Sequence, residues 1–405
     1  MITRRCALGG LLAVQATIGF SAAAQRRSPR GGIASESSNA DLQAGPADTP
    51  LGPVATSAKW AFVQDFNSGA VLLEKNADEQ MAPASLTKLM TLYIVFSRLS
   101  EGRLKLDDML PVSQQARRMR GSKMFLQLGS GVSVEDLIRG IAVASGNDAC
   151  VALAEAISGS EEQFTDVMNT TAQQLGMAHS HFMNSSGWPT DGHYMSARDT
   201  VTLAAAIIRQ FPQYYHYAAE KTFKFGKVIQ HNRNPLVENG TGDGLMTGHT
   251  QEGGFGLVAS AERKGRRVIV ALNGVTSSHQ RAEEGARLMD WAFGSFEDVK
   301  LFAAGQTVIA EPVWLGTSHD VAVASADDLV VTLPQKWRST AKIHVISASS
   351  VTAPVAKGAK LAELTVSGPG VPTMEPLPLR AAADVPRLDL PGRAAAVLLY
   401  YIVGM

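Results

Sequence analysis

From Lys59 onward the chain switches between two hydrophobic spacings. Trp60-Ala61-Phe62-Val63-Gln64-Asp65 is an apolar run of strand length, Asn67-Ser68-Gly69 is a turn, and Val71-Leu72-Leu73-Glu74 returns. That pattern predicts a β-hairpin. From Ser85 to Leu99 the spacing becomes helical, with Leu86, Leu89, Met90, Ile94, Val95 and Leu99 recurring every three or four positions. Pro83, just ahead, suits a helix start. Helical patterns follow over residues 134–143, 148–157, 161–175 and 197–211. Residues 254–261 and 267–274 read as strands and 280–293 as a helix. Strands at both ends with helices between them predict an α/β (α+β) layered domain over residues 57–297.

After about Phe296 the runs become short, β-rich and punctuated by Gly and Pro: Val308-Ile309, 320–323, 329–333, 342–346, 360–366 and 377–379. They predict a small all-β sandwich over residues 298–391. Residues 392–405 form a terminal apolar helix. It is too short to span a bilayer, so it either packs on the protein or lies in a membrane interface.

The other end of the chain is patterned differently. Arg4 and Arg5 precede an apolar run from Ala7 to Phe20, and Ala22-Ala23-Ala24 follows with no acidic residue before it. Residues 1–24 therefore read as a secretory signal peptide, and Thr3-Arg4-Arg5 hints at twin-arginine export. Residues 25–56, rich in Ser, Gly, Pro and Ala without periodicity, read as a disordered linker. Export predicts a periplasmic protein, peripheral on the outer face of the cytoplasmic membrane if the last helix binds lipid.

Charge and composition narrow the classes. Lys plus Arg and Asp plus Glu both number 37, which argues against a nucleic-acid partner. Removing the leader takes away two arginines and no acid, leaving 35 against 37. Two cysteines, Cys6 and Cys150, allow no disulfide framework, and cleavage would remove Cys6. With 45% hydrophobic residues the chain has enough apolar content for a sizeable core.

Three short segments carry chemistry. Ser85-Leu86-Thr87-Lys88 opens the first long helix, where a spacing of three puts Ser85 and Lys88 on one face. A serine hydroxyl becomes a nucleophile when a neighbouring lysine of depressed pKa removes its proton. Ser145-Gly146-Asn147 lies between two helical patterns, where Ser145 can pass a proton to a leaving amine and Asn147 can bond a substrate amide. Met246-Thr247-Gly248-His249 leads into the strand at Gly254. A strand edge beside a serine nucleophile can bind an extended substrate by strand addition, and Thr247 can bind a carboxylate.

Together these segments resemble the low-molecular-weight penicillin-binding proteins, the serine-type D-alanyl-D-alanine carboxypeptidases. The likeness extends to Pro83-Ala84-Ser85-Leu86-Thr87-Lys88-Leu89-Met90-Thr91, Gly121-Ser122-Lys123-Met124-Phe125, Ser145-Gly146-Asn147-Asp148-Ala149 and Ser196-Ala197-Arg198-Asp199. It implies the penicillin-binding, β-lactamase-like transpeptidase fold followed by the family's β-rich second domain. It implies a peptidoglycan stem peptide as substrate, β-lactam antibiotics as acylating inhibitors and no cofactor. Ser85, Lys88 and Ser145 would be catalytic; Asn147, Met246, Thr247, Gly248 and His249 would bind substrate. Backbone N–H groups of Ser85 and His249 would hold the oxyanion.

One position departs from the family: its third motif is Lys-Thr-Gly, and here it is Met246-Thr247-Gly248. The family's lysine supplies charge beside the nucleophile and bonds the serine of the second motif. Methionine supplies neither. Losing such a donor commonly costs ~3 kcal/mol. Three accounts follow: an active enzyme weakened or altered in specificity, a catalytically poor relative that still binds peptidoglycan or penicillin, or substitution by another cation, for which Lys123 is the candidate. A class A β-lactamase is a poorer reading, because no Glu-x-x-Leu-Asn run lies between Ser145 and Met246. Cys150 is expected to be a buried helix residue, His193 and His231 ordinary polar residues, and Arg198 with Asp199 a structural helix start.

Overall fold

A computed structural model describes residues 45–336, 340–347 and 351–403. The expected signal peptide, the linker as far as residue 44 and Cys6 lie outside the described residues. The hairpin forms as β1 (Trp60–Asp65) and β2 (Val71–Lys75). Late in the domain come β3 (Gly244–Thr250), β4 (Gly254–Arg263) and β5 (Arg266–Val275). They build one antiparallel sheet in the order β2-β1-β5-β4-β3, which leaves β3 at an edge. Between β2 and β3 lie α1 (Lys88–Ser100), α2 (Val134–Ala142), α3 (Asn147–Ser158), α4 (Glu161–Gln174) and α5 (Ala197–Gln210). After β5 comes α6 (Ser278–Ser295).

Strand alternation explains the layers. Phe62, Val258, Ile269 and Ala271 pack with the helical layer that includes Leu89, Met90 and Val95. Their neighbours Val63, Leu257, Val268 and Val270 pack on α6 through Leu288, Met289 and Ala292. Both faces of the sheet are covered, so β5 reads as a continuous apolar run rather than an alternating one.

The linker expected to reach Thr56 stops sooner. Ala47 is buried and exchanges backbone bonds with Val54, Asp48 does so with Glu74 of β2, and Thr56 donates to the Glu284 carboxylate. This segment adds to an existing strand edge through its main chain, so it needs no hydrophobic period of its own.

The β-rich part starts directly from α6. Phe296–Phe302 pairs with Leu329–Pro334, and six further strands form a second sheet. Val323, Leu329, Leu364 and Leu379 share one core between the two sheets. A buried ion pair tethers this part: Arg266 Nε lies 2.7 Å from Asp65 and 3.3 Å from Asp298. The chain's last helix, α7 (Leu390–Val403), leaves Leu398, Leu399, Tyr401 and Ile402 exposed. No helix among the described residues is long and apolar enough to cross a membrane.

Candidate active site

Serine caps mark most helix starts. Ser133, Ser160, Ser196 and Ser277 each accept the backbone N–H three residues on, at the heads of α2, α4, α5 and α6. The two helices carrying the motifs lack such a bond. Ser85 lies in a single 3-10 turn (Ala84–Thr87) that runs into α1, and α3 starts after Gly146; neither start has a side-chain cap. Backbone carbonyls take up part of that donor capacity instead: the Asn147 N–H donates to the Ser122 carbonyl and the Leu86 N–H to the Pro83 carbonyl.

Lys88 is fully buried. Its Nζ lies 2.8 Å from Ser85 Oγ and 2.6 Å from the Ser186 carbonyl oxygen. Burial drives its pKa down to about 8, and the Arg233 guanidinium pushes the same way. Ser85 itself is half-buried, so its oxygen is reachable from the cleft.

The loop that supplies Ser186 is stitched to α1 and the 3-10 turn before it at three points. Besides the Lys88 bond, Thr91 Oγ1 donates to the Ser185 carbonyl at 2.6 Å, and Thr87 Oγ1 lies 2.8 Å from His193 Nε2. Met183 N–H donates to His193 Nδ1, so Nε2 carries the proton and donates to Thr87. Burial pushes the His193 pKa down to about 4, which keeps it neutral. The Asn184 side-chain oxygen accepts from the N–H groups of Ser186, Gly187 and Trp188. Gly187 has φ +78°, and a methyl group there would stand 1.7 Å from the Ala84 carbonyl oxygen. Only glycine lets the two backbones approach so closely.

Ser145 and Asn147 face the cleft from the head of α3. Ser145 has φ +55°, and its buried Oγ has no hydrogen-bond partner among the described residues. Asn147 donates through Nδ2 to the Arg120 carbonyl at 2.7 Å and through its backbone to Ser122. Asp148, buried behind it, accepts from the backbone N–H groups of Met124, Phe125 and Leu126 and clamps the neighbouring loop. Trp188, 42% exposed, stands at the mouth: a methyl group on Gly121 would meet both its ring and the Asn147 amide.

The edge strand β3 closes the third side. A methyl group on Gly248 would lie 2.9 Å from Pro83 O and 3.4 Å from Ser85 N, so this glycine brings β3 against the nucleophile. Met246 lies on the same face as Gly248 and is buried in the helical core with Val258. Thr247 is buried as well. The His249 ring is exposed and turns away from the cleft onto Phe255, centroids 3.9 Å apart.

The structure thus brings Ser85, Lys88 and Gly248 together, and it sets the Asn147 amide beside Trp188, two residues on from the Ser186 carbonyl that holds Lys88. It does not bring Lys123 to them: that ammonium donates to the Arg117 carbonyl at 3.2 Å on an exposed loop. The cation whose charge reaches Lys88 is Arg233, exposed and hydrogen-bonded to Ser122 Oγ at 2.6 Å. No sequence signal marks it, because Arg233 lies thirteen positions before Met246 in a segment without a motif. Its charge also reaches Arg281, whose guanidinium lies 5.9 Å from the Phe255 ring. Cys150 is a buried free thiol with a pKa pushed up to about 12 by burial, as a core residue rather than a nucleophile should have. Arg198 stacks on Phe62 and bonds Asp78 and Glu74, a structural role. Among the described residues no cluster of side chains could hold a metal ion.

Comparison with known proteins agrees with this geometry. Residues 47–276 match the D-alanyl-D-alanine carboxypeptidase family, and residues 296–387 match the C-terminal domain of penicillin-binding protein 5. The D-alanyl-D-alanine carboxypeptidase DacA of Haemophilus influenzae is 38% identical over 76% of this chain and 80% of its own length. The crystal structure of penicillin-binding protein 5 from Haemophilus influenzae superposes with a TM-score of 0.77 at 37% identity, covering 82% of this chain and 98% of that one. Penicillin-binding protein D2 from Listeria monocytogenes, solved with bound ampicillin, is 30% identical, with a TM-score of 0.54 over 59% of this chain and 98% of that one. The chain belongs to the D-alanyl-D-alanine carboxypeptidase family of serine hydrolases, with the penicillin-binding fold and its appended β-rich domain.

Proposed function

We propose that the protein trims the terminal D-Ala from peptidoglycan stem peptides through an acyl-enzyme on Ser85, and that Met246 leaves this chemistry in place. The observation that carries the reading is the dry Lys88 ammonium 2.8 Å from Ser85 Oγ. With a pKa near 8, about one lysine in ten is neutral at pH 7 and can take the serine proton. Ser85 Oγ bonds to the penultimate D-Ala carbonyl carbon, the C–N bond breaks, and the leaving amine takes a proton by way of Ser145. Backbone N–H groups of Ser85 and His249 stabilise the oxyanion. Water then attacks the ester and frees Ser85. β-Lactams acylate the same oxygen.

Asn147 binds the substrate amide, while β3 offers an unpaired edge to an extended peptide. Arg233 supplies cationic charge that Met246 cannot. It is exposed to incoming ligand, it lowers the Lys88 pKa, and a terminal carboxylate is its natural partner. The empty hydrogen-bonding capacity of Ser145 Oγ fits the loss of a lysine at position 246.

Export to the periplasm follows from the leader pattern of residues 1–24 and from a substrate that lies outside the cytoplasmic membrane. The exposed apolar side chains of α7 suit a membrane interface. Incubating the mature protein with a D-Ala-D-Ala pentapeptide tests the catalytic reading: D-Ala release that vanishes in Ser85→Ala supports it, and no release from the unsubstituted protein refutes it. Flotation with anionic vesicles, comparing the full chain with one ending before Leu390, tests the membrane reading; equal flotation refutes it.

A further inference from the structure

The segment that packs on Asn147 is unusually basic. Residues 109–134 contain four cations, Arg117, Arg118, Arg120 and Lys123, and no acid, in a chain whose charges balance overall. Arg117 and Arg118 end a short helix (Gln114–Arg118) capped by Ser113. Cations in a last turn suit the helix dipole, but Arg120 and Lys123 lie beyond it. The three arginines are exposed, and among the described residues none of the four cations has an ion-pair partner. The acids that touch this segment turn to other donors. Asp148, buried beneath it, accepts three backbone N–H groups; Glu155 accepts from Ser113 Oγ, and Glu161 from Ser185 Oγ and Gln115. Four like charges within seven residues repel one another, and among the described residues no carboxylate offsets them.

This basic ridge borders the site already described. The Arg120 carbonyl accepts from Asn147 Nδ2 at 2.7 Å, and the Ser122 carbonyl accepts from the Asn147 N–H. Gly121 lies against Trp188: a methyl group on it would stand 3.2 Å from the ring. Ser122 Oγ accepts from Arg233 at 2.6 Å, so the ridge runs on to the cation whose charge reaches Lys88. In the reading above Arg233 is taken up by the terminal carboxylate, which leaves the ridge for carboxylates elsewhere on the same ligand. A border of one sign attracts such groups without contact. At physiological salt it acts over about 8 Å, or two to three residues of extended peptide.

We propose that Arg117, Arg118, Arg120 and Lys123 form an electrostatic docking surface for acidic peptides, so that the protein selects D-Ala-terminated peptides carrying carboxylates beyond the terminal one. The proposal rests on the cleft taking a D-Ala-terminated peptide, so its test separates binding from turnover. In a full chain carrying Ser85→Ala, calorimetry compares Nα-acetyl-Glu-Glu-D-Ala-D-Ala with Nα-acetyl-Gln-Gln-D-Ala-D-Ala. At about 0.01 M ionic strength, where the Debye length is ~30 Å, the acidic peptide should bind about five-fold tighter or more, as expected of two added solvent-exposed charges. At about 1 M, with a Debye length of ~3 Å, the preference should fall below about two-fold. Combining Arg117→Gln, Arg120→Gln and Lys123→Gln should abolish most of the low-salt preference, with thermal melting close to the parent's. Combining Lys336→Gln, Lys342→Gln and Lys357→Gln removes three exposed cations from the β-rich part instead and should leave the preference in place. Four results overturn the docking surface: no measurable binding of the acidic peptide, equal affinity for the two peptides at low salt, a preference that survives the ridge substitutions, or one lost equally in both triple variants. Failure of the unsubstituted chain to release D-Ala would instead count against the catalytic reading, which this binding comparison does not use.

Discussion

Gly187 offers a way to break the catalytic geometry without touching a reacting group. In Gly187→Ala the new methyl carbon would fall 1.7 Å from Ala84 O and 2.8 Å from Thr87 Oγ1. Ordinary contact is nearer ~3.3 Å, so the two segments must part by about 1.5 Å. One segment carries Ser85, the other the Ser186 carbonyl that holds Lys88. A misplacement of about 1 Å commonly costs ~100-fold in rate. The φ of +78° adds a separate penalty of ~1–2 kcal/mol to stability. Gly69→Ala separates the two effects, because Gly69 has φ +75° but open space around its Cβ position. The assay is stopped-flow acylation by a fluorescent penicillin, with thermal melts alongside. Both variants should melt lower than the parent. Gly187→Ala should acylate at least ~100-fold more slowly, whereas Gly69→Ala should keep the parent rate. Acylation by Gly187→Ala within about three-fold of the parent would refute the argument that this backbone contact positions the dyad.

Other outcomes follow from the electrostatics. Since Lys88 must lose its proton to act as base, acylation should rise with pH along a limb centred near 8, measured by rapid kinetics between pH 6 and 9.5; a flat profile would contradict this. Arg233→Ala removes a charge that lowers the Lys88 pKa, so it should move that limb to higher pH as well as weaken peptide binding. Met246→Lys adds a cation on the face shared with Gly248 and gives Ser145 a donor, so it should move the limb down and raise turnover. Burial, with Asp65 nearby, raises the Asp298 pKa to about 6. The folded protein therefore binds a proton between pH ~4 and ~6 that the unfolded chain does not, and stability falls as pH rises through that window. Asp298→Asn should melt higher than the parent at pH 7.5 and lose that advantage near pH 4.

Much of this is legible in the amino-acid sequence. The hairpin at Trp60, the helices and the paired strands at the end of the domain all declared themselves through period, and Ser85, Lys88, Ser145 and Asn147 through motif. What stayed hidden depends on long-range contact. Residues 45–56 join the fold through backbone bonds to β2, which leave no hydrophobic signature. His193 is one of nine histidines in the sequence until the fold brings it against Thr87. Arg233 and Lys123 exchange their expected importance, because spacing along the chain does not say which cation faces Lys88. His249 keeps its proposed backbone role, while its ring packs on Phe255.

The account stands on a working Ser85–Lys88 dyad in the absence of a lysine at position 246. Intact-mass spectrometry of the mature protein after brief exposure to benzylpenicillin tests it most directly, with peptide mapping to locate the adduct. The account predicts one penicilloyl adduct on the peptide containing Ser85, absent in Ser85→Ala and strongly slowed in Lys88→Arg. An unmodified parent protein, or an adduct that persists in Ser85→Ala, would contradict it.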